Sequence, residues 1–307
     1  MTDSPQPAVP HRSGFVAVVG RPNVGKSTLI NQLLGQKIAI VSSKPQTTRH
    51  NQLGILTQTE AQVIFVDTPG MHEPRNALGE AMVGAAANAL LDADVVLFIV
   101  DVSLPPGPGD ERLAQLIADK PGIAPVILAL NKMDKLKPEH VRPHSDAYRA
   151  LVPGAAWEMT CAPRGDNLDH LLVLILAALP EGPALYPEDE VTQTHLRDLA
   201  GEFVREAALN SLEQEVPHGI AVEVEEYKER SQDMVYVLAT IFVERESHKR
   251  IVIGKGADML KRIGTQARAE IEKLAEKQVY LELRVKVRKD WREDEREVRR
   301  LGYGDKK

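Results

Sequence analysis

The chain has 307 residues, of which 43% are hydrophobic and 27% charged, as in soluble globular proteins of one or two domains. Its longest apolar run, Leu171 to Leu179, is much shorter than the roughly 20 residues of a membrane-spanning helix. The segment from Met1 to Gly14 has no apolar centre, so it predicts a loose tail and not a signal peptide. A single cysteine excludes an internal disulfide, and we expect a cytoplasmic protein.

Charge is divided unevenly along the chain. Residues 245–307 carry 19 Lys and Arg against 12 Asp and Glu, whereas the rest of the chain carries 19 against 32. A basic end attached to an acidic remainder is typical of a protein whose basic part binds a nucleic acid. The alternative is a solvated helix face, which Glu293 to Arg300 fits in part.

Strands and helices are predicted to alternate in the N-terminal part. The predicted strands are 15–20, 63–67, 95–101 and 126–131, and the predicted helices are 26–34, 77–91, 110–118 and 167–179. This order predicts an α/β domain in which a mostly parallel sheet carries helices on both faces. Ligands of such sheets bind at the carboxyl ends of the strands.

The first predicted strand leads into a glycine-rich loop that fits GxxxxGK[ST], the pattern of phosphate-binding loops. Backbone N–H groups of such a loop, and the N-terminus of the helix behind it, bind phosphate oxygens. Lys26 would reach the β- and γ-phosphates, and the Ser27 hydroxyl would bind Mg²⁺. The predicted nucleotide-binding residues here are Gly20, Arg21, Pro22, Asn23, Val24, Gly25, Lys26, Ser27 and Thr28.

A second motif, Asp67-Thr68-Pro69-Gly70, fits DxxG and follows another predicted strand. Asp67 would hold Mg²⁺ through a water molecule, and the Gly70 N–H would reach the γ-phosphate. The next residue is Met71, where many GTPases carry a glutamine that orients the attacking water. Because a thioether cannot do this, we expect slow intrinsic hydrolysis.

A third motif, Asn131-Lys132-Met133-Asp134, fits NKxD and predicts the choice of guanine. The Asp134 carboxylate would accept hydrogen bonds from guanine N1–H and its 2-amino group, which adenine cannot supply. Asn131 would brace the phosphate loop, and the Lys132 stem would cover the purine. The loop at Cys161 and Ala162 would complete the pocket, with the Ala162 N–H on guanine O6.

The stretch GRPNVGKSTLINQLLGQKIAIVSSKPQTTRH, from Gly20 to His50, resembles the Era family of bacterial GTPases. The resemblance continues through DTPG, NKMD, LPEGPALYPEDEVT, IVIGKGADMLKRIG and LELRVKV, so it spans about Ser13 to Gly304. It implies that residues 46–50 form the first switch and that Thr48 closes on Mg²⁺ when GTP is bound. It also implies that Asn23 binds an activating K⁺ ion, although loop packing explains Asn23 equally well.

Together these motifs predict Lys26, Thr48 and Gly70 as catalytic residues. The predicted metal ligands are Ser27, Thr48 and Asp67. The predicted GTP contacts outside the first loop are Asp67, Thr68, Pro69, Gly70, Met71, Asn131, Lys132, Met133, Asp134, Cys161 and Ala162.

The proline-rich segment after residue 179 marks a boundary. We expect a tail at 1–13, a GTP-binding domain at 14–182, a linker at 183–194 and a C-terminal domain at 195–307. The predicted elements of that last domain are helix 195–209, strands 220–227 and 235–244, helix 257–276 and strand 279–288. The last strand alternates apolar and basic residues, which predicts one buried and one basic face.

This order of elements, with Gly254-Lys255-Gly256 before a helix, resembles a type II KH domain, which clamps about four single-stranded nucleotides. Few aromatic residues, 4% of the chain, disfavour domains that stack bases on aromatic rings. Ala257 stands where the family pattern has glycine; its Cβ would crowd a phosphate, although alanine suits a helix N-terminus. The predicted RNA contacts are Ile253, Gly254, Lys255, Gly256, Lys261 and Arg262, and the predicted groove or core residues are Ile251, Ile253, Met259 and Ile263.

The resemblance implies GTP, GDP and Mg²⁺ as ligands, and the 3′ end of 16S ribosomal RNA and the small ribosomal subunit as partners. The implied role is assembly or maturation of that subunit. A peripheral contact with the inner face of the cell membrane also follows from the resemblance, although no segment resembles an anchor, and no obligate oligomer is indicated.

Two alternative functions are a tRNA-modification GTPase and an RNA-binding scaffold with a non-catalytic GTPase domain. The first shares GRPNxGKS, but we would expect a folate-binding domain ahead of the GTPase core and a C-terminal cysteine motif, and these 307 residues contain neither. A measurement of GTP turnover would distinguish the second alternative, a non-catalytic scaffold, from an active GTPase.

Overall fold

The computed structural model describes residues 11–71, 73–119, 122 and 124–303; predicted tail residues 1–10 lie outside this description. The N-terminal strands are β1 (Arg12–Val19), β2 (Gln52–Gln58), β3 (Ala61–Asp67), β4 (Val95–Asp101), β5 (Val126–Asn131) and β6 (Ala156–Met159). The helices are α1 (Lys26–Leu34), α2 (Ala77–Leu91), α3 (Pro108–Ala118), α4 (Val141–Leu151) and α5 (Leu168–Ala178). Every predicted strand and helix of this part is present, whereas β2, α4 and β6 were not predicted.

The six strands form one sheet in the order β2-β3-β1-β4-β5-β6. Strand β2 is antiparallel to β3, and the other neighbours are parallel. The central strands are apolar along nearly their whole length because helices cover both faces of the sheet. The three nucleotide motifs follow β1, β3 and β5, so they meet at one edge of the sheet.

Two boundaries differ from the predicted ones. Strand β1 begins inside the predicted tail, because Arg12 Nη1 donates to the Leu179 carbonyl at 2.5 Å and Ser13 Oγ donates to the Pro183 carbonyl at 2.6 Å. The predicted linker lies along the open edge of β2, where the Ile55 N–H donates to the Val191 carbonyl at 2.8 Å. It thereby covers an edge strand that would otherwise expose unpaired backbone groups. The division into domains itself stays a prediction.

The C-terminal part contains α6 (Leu196–Ser211), β7 (Ala221–Ser231), β8 (Met234–Val243), α7 (Glu246–Ile253), α8 (Asp258–Ala275), β9 (Gln278–Val287) and α9 (Glu295–Arg300). Its sheet has the order β7-β8-β9, with the first pair antiparallel and the second parallel. Helices α6 and α8 cover one face of this sheet around a core that includes Phe203, Val204, Ile263 and Ile271. The short helix α7 was not predicted, and α9 lies in the segment that the sequence had offered only as a possible helix face.

The prediction for β9 is half correct. Leu281, Leu283, Val285 and Val287 pack against the core as expected. The opposite face is not a basic surface, because Lys286 Nζ lies 2.9 Å from Glu225 and Arg284 Nη2 lies 2.9 Å from Glu282. Glu225 belongs to β7, two strands away in the sheet, so a pattern read along β9 alone could not show its pairing with Lys286. Glu282 lies on β9 itself, two residues before Arg284, and that pairing could have been read from the sequence.

The N-terminal and C-terminal parts pack together beside the nucleotide motifs. Ile40, from the segment between α1 and β2, is 3% exposed and lies in the core of the C-terminal part. Leu78 and Met82 of α2 pack with Trp291 and Val298. Among the described residues, no helix is long and apolar enough to cross a membrane.

Candidate nucleotide site and RNA-binding groove

The phosphate loop requires glycine at two positions. Gly25 has a left-handed φ of 106°, and a Cβ there would lie 2.3 Å from Asn131 Nδ2. A Cβ on Gly20 would lie 2.3 Å from the Ile99 carbonyl oxygen. Any larger residue would push the loop away from the sheet, and the N-terminus of α1 would lose its alignment with a bound phosphate.

Lys26 lies inside this loop and is 6% exposed. Its Nζ donates to the Gly20 and Arg21 carbonyls at 3.2 Å each. Burial lowers the pKa of Lys26 to about 8, against the attraction of Asp67. The loop therefore holds a desolvated cation at its centre, where a phosphate would be a stronger partner than the two carbonyl groups.

The three predicted metal ligands come together from three different segments. Ser27 Oγ donates to Asp67 Oδ2 at 2.7 Å, Thr48 Oγ1 donates to the same oxygen at 3.2 Å, and the two hydroxyls are 3.1 Å apart. The other carboxylate oxygen of Asp67 is buried and has no hydrogen-bond partner among the described residues. Burial raises the pKa of Asp67, against the attraction of Lys26 and the hydrogen bonds from Ser27 and Thr48. Hard oxygen ligands in this arrangement fit Mg²⁺.

Asn131 connects the base-binding loops with the phosphate loop. Its Nδ2 donates to the Val24 carbonyl at 2.7 Å, which is the predicted bracing contact. Its Oδ1 accepts from Thr160 Oγ1 at 3.2 Å and from the Ala162 N–H at 3.0 Å. The Ala162 amide therefore faces Asn131 in this structure, whereas we had expected it to face guanine O6.

The remaining base residues surround an exposed Asp134. Lys132 has a left-handed φ of 65°, and its Nζ lies 2.6 Å from Asp101 Oδ2. Burial and a hydrogen bond to Asp134 raise the pKa of the Cys161 thiol. Met133 packs against the core, and its N–H donates to the Thr160 carbonyl at 3.1 Å. Asp134 thus remains the side chain available to choose the base.

Some predicted contact residues direct their side chains elsewhere. Arg21 Nε donates to Asp110 of α3 at 2.8 Å, and Thr68 Oγ1 donates to the Val18 carbonyl at 2.7 Å. Met71 packs against the core between the sheet and α3. These three residues shape the site through their backbone.

Asn23 joins the phosphate loop to Ser43, three residues before the predicted first switch at 46–50. It has a left-handed φ of 63°, and its Nδ2 donates to the Ser43 carbonyl at 2.8 Å. The cleft above the loop is lined by Pro22, Asn23, Gly25, Lys26, Ser27, Thr28, Ile40, Val41, Ser42, Gln46, Thr47, Thr48 and Gly70. Residues 40–42 were not predicted to line this cleft, because an apolar segment does not indicate a phosphate site.

Asp101 and Asp110 were also missed, although each holds a predicted site residue. Asp101 ends a strand of buried apolar residues, as Asp67 does. An acidic residue directly after a buried strand could therefore have indicated Asp101. Asp110 had no such signal, because it acts by accepting a hydrogen bond from Arg21 of the phosphate loop, which is distant in the sequence.

The predicted RNA-binding loop connects α7 and α8 and is largely exposed. Gly254 and Gly256 have left-handed φ angles of 73° and 61°. A Cβ on Gly254 would lie 2.8 Å from the Cβ of Met259, whereas a Cβ on Gly256 would meet nothing within 4 Å. Gly254 is thus needed for packing, and Gly256 leaves space for a ligand.

Ala257 has a left-handed φ of 67° and precedes α8. Alanine is strained in that conformation, so our expectation that this helix N-terminus tolerates alanine well was wrong. The neighbouring groove between α8 and β9 is lined by Ala257, Leu260, Lys261, Gly264, Thr265, Arg268, Leu281 and Leu283. Of the predicted apolar residues, Ile263 is fully buried in the core and Ile251 is 48% exposed.

Leu260 and Arg268 were missed as groove residues. Leu260, Gly264 and Arg268 recur every four residues along one face of α8, so the helical period could have indicated them.

The two folds and their sites define the protein as a P-loop GTPase joined to a KH domain. Residues 15–132 match the family model described as a 50S ribosome-binding GTPase, and residues 215–292 match the KH-domain model. The predicted fold class is confirmed.

The chain is 47% identical over 293 residues to GTPase Era of Halothermothrix orenii. The aligned residues make up 95% of this chain and 99% of the relative. The chain is 46% identical to GTPase Era of Geobacter metallireducens, covering 96% and 98%. The chain therefore belongs to the Era family of GTPases, as its resemblance predicted.

Two crystal structures are similar over the whole molecule. One is Era in complex with MgGDPNP and nucleotides 1506–1542 of 16S ribosomal RNA, with a TM-score of 0.92. The other is an Aquifex aeolicus Era variant bound to GDP·AlF4⁻, with a TM-score of 0.91. Each is 44% identical to this chain and covers 96% of it, and this chain covers 100% of each.

Proposed function

We propose that this GTPase binds the single-stranded 3′ end of 16S ribosomal RNA between α8 and β9 and acts in the assembly or maturation of the small ribosomal subunit. The observation that carries this proposal is the open Gly256 position beside an apolar groove with Lys261 and Arg268 in its lining. It is supported by a relative of similar structure that was solved with nucleotides of that RNA.

On the nucleotide side, the phosphate-loop N–H groups and Lys26 hold the β- and γ-phosphates, and the Gly70 N–H binds the γ-phosphate. A Mg²⁺ ion held by Ser27, Thr48 and Asp67 would compensate the charge that develops during phosphate transfer. Asp134 selects guanine. Met71 is partly buried against the core, and its thioether cannot orient the attacking water, so we expect slow intrinsic hydrolysis.

A monovalent cation is a further component of the proposal. The contact between Asn23 Nδ2 and the Ser43 carbonyl orients the Asn23 carboxamide across the phosphate loop. Its oxygen is a suitable ligand for K⁺, whose charge would act where other GTPases use an arginine finger.

On the RNA side, the loop before α8 presents backbone N–H groups and a helix N-terminus to phosphates. Leu260, Leu281 and Leu283 offer an apolar wall to the bases. Lys255, Lys261 and Arg262 are exposed and can approach the RNA backbone. This combination matches the way in which KH domains clamp single strands.

Gly256→Asp tests the RNA site, with Gly256→Asn as a matched neutral control. Both side chains have space and both tolerate a left-handed φ, so the pair differs mainly in charge. We expect Gly256→Asp to weaken binding of a 16S 3′-end oligonucleotide at least about tenfold relative to Gly256→Asn, roughly 1.4 kcal/mol. Gly254→Asp is a poorer test because a Cβ there collides with Met259.

Equal RNA affinity of the two Gly256 variants in a filter-binding titration would place the RNA elsewhere. Lys255→Ala should weaken binding less and reduce its salt dependence, because it removes one phosphate contact. GTP affinity should be the same in all of these variants.

The two alternative functions are less well supported. The family match covers nearly the whole chain and is to Era, which disfavours a tRNA-modification enzyme. A non-catalytic GTPase domain is disfavoured by the convergence of Lys26, Ser27, Thr48 and Asp67.

We also propose a cytoplasmic location, a peripheral contact with the inner face of the cell membrane, and function without an obligate oligomer. These points are supported by the family resemblance alone. Fractionation of cells in low and high salt, together with sedimentation of the purified protein, would test them.

A further inference from the structure

Thr48 is bracketed by two buried arginines. On one side, the carbonyl oxygen of Thr47 accepts a hydrogen bond from Arg205 of α6, which is fully buried. On the other side, Arg49 is 2% exposed and extends into the C-terminal part of the molecule. The threonine that faces the metal is therefore held at both neighbouring residues by contacts with the C-terminal part.

The Arg49 guanidinium is enclosed by polar and aromatic groups. Nη1 donates to the Ile220 carbonyl at 2.5 Å, and Nη2 donates to the His218 carbonyl at 3.1 Å. Its central carbon lies 5.6 Å from the Trp291 ring centroid and 5.5 Å from that of Tyr303, within the range of cation–π attraction. We call these two rings and two carbonyl groups the arginine cage.

The cage is itself firmly held. Trp291 is fully buried, and its Nε1 donates to the Gly219 carbonyl at 2.9 Å. The Trp291 and Tyr303 ring centroids are 5.8 Å apart. A rigid cage fixes the position of the guanidinium and, through it, of the backbone next to Thr48.

Arg49 is buried as a charged group, and the two cage carbonyls are its hydrogen-bond partners. Burial lowers the pKa of Arg49 to about 10, so the side chain remains charged at neutral pH and its desolvation is unfavourable. An apolar side chain of similar length would avoid that desolvation, but it would leave both carbonyls unpaired. Withdrawal of Arg49 would also leave the two cage carbonyls without their donor, so the inserted state is well defined.

We infer that Arg49 is a positioning residue for GTP hydrolysis: its insertion into the arginine cage holds Thr48 at the metal site. Trp291 and Tyr303 of the C-terminal domain thereby help to form the active centre of the N-terminal domain. The inference rests on the proposed metal role of Thr48. The competing explanation is that Arg49 only contributes to packing between the two domains.

Trp291 provides a direct readout. The chain has two tryptophans, so Trp157→Phe leaves Trp291 as the only one, and Trp157 lies on β6 at the opposite side of the sheet from β2. In this background we expect the Trp291 emission to differ between the GDP-bound protein and the Mg²⁺·GDPNP-bound protein. Arg49→Met should abolish the difference, and Arg49→Lys should restore part of it.

Kinetics provide the second readout. We expect Arg49→Met to lower kcat at least about tenfold while KM for GTP changes less than about threefold, because Thr48 is misplaced and the base and phosphate contacts are intact. The Mg²⁺ concentration that half-saturates the GDPNP complex should be higher in this variant than in the parent. Tyr303→Leu, which changes the cage from the other domain, should have the same effects.

Lys37→Met is the matched control. Lys37 Nζ also joins the switch-side segment to the C-terminal part, at 2.6 Å from Glu206 and 3.0 Å from Glu270, but it is distant from Thr48 in the chain. This variant should keep both the emission difference and kcat. An equal loss in Lys37→Met would show a general effect of the domain interface and overturn the inference.

The inference is also overturned if Arg49→Met keeps kcat within about twofold of the parent or keeps the emission difference. If the parent itself does not hydrolyse GTP, the proposed function fails and not this inference alone. GDP affinity and the circular-dichroism melting curve identify a variant that has not folded. In that case Tyr303→Leu and Arg49→Lys decide the question.

Discussion

The two sides of the nucleotide site differ in what holds them. On the base and phosphate side, Asn131 bonds to Val24, Thr160 and Ala162, all of which belong to the N-terminal part. On the metal side, the segment between α1 and β2 is held by the C-terminal part through Glu206, Arg205 and the arginine cage. Nucleotide binding can therefore be a property of one domain, whereas the geometry around Thr48 depends on both.

One site can in this way combine binding contacts from one part of the molecule with a metal ligand that both parts position. The contacts of Asn131 lie within the N-terminal part, so they do not depend on how that part packs against the C-terminal part. The contacts that position the metal ligand do cross between the two parts, and interfaces of this kind have discrete arrangements.

The largest effect is expected on the phosphate side. Lys26→Ala removes the buried cation of the phosphate loop, and we expect hydrolysis to fall at least about a thousandfold, since charge compensation is a main contribution to phosphoryl transfer. Phosphate release measured at saturating GTP checks this. Lys261→Ala, in the RNA groove, is the control and should hydrolyse GTP at the parental rate. Turnover within about tenfold of the parent in Lys26→Ala would contradict the assigned role.

The next effect concerns the base. Asp134→Asn should weaken GTP binding about a hundredfold, roughly 2.7 kcal/mol, and should gain affinity for xanthosine triphosphate, because an amide pairs with the altered base edge. Competition against a fluorescent nucleotide measures both affinities. Hydrolysis of xanthosine triphosphate should persist in the variant, since the metal side is unchanged. Unchanged GTP affinity would remove Asp134 from the pocket.

The sequence indicates the base and phosphate side more directly than the metal side, because its chemistry requires particular residues. Buried strands are visible as apolar runs, and α2 was predicted from its helical pattern. In the structure Asn76 caps this helix by accepting from the Gly79 N–H at 2.9 Å. Strand β2 was missed because it is polar: Gln52 and Thr57 interrupt its pattern, and Gly54 is needed where α1 approaches closely.

The metal side could be predicted only in part. Thr48 followed from the family resemblance, but the partners of Arg49 lie in the C-terminal half of the sequence, and no local pattern connects them. The left-handed φ of Ala257 was also beyond prediction, because alanine does not indicate that conformation. Long-range contacts and unusual backbone angles are therefore what the structure adds.

A smaller effect is expected from monovalent cations. Replacing Na⁺ by K⁺ should raise the hydrolysis rate at least about fivefold, roughly 1 kcal/mol of the barrier, if the Asn23 carboxamide oxygen binds the ion. In Asn23→Ala the two salts should give equal rates. Rates that are equal in the parent as well would favour simple packing of Asn23 against Ser43, and the phosphate loop would then need no cation of its own.

The smallest effect concerns the RNA side and the one loop position that departs from the family pattern. Ala257→Gly should stabilise the C-terminal domain by roughly 0.5–1 kcal/mol, because glycine adopts a left-handed φ without strain. Ala269→Gly is the matched control: it lies exposed within α8, where the same substitution should destabilise by about 1 kcal/mol. Guanidinium unfolding followed by circular dichroism compares the two variants. If Ala257→Gly also binds the RNA oligonucleotide more tightly, the alanine Cβ obstructs a phosphate; if stability rises without any change in affinity, the strain belongs to the loop alone and the RNA does not approach position 257.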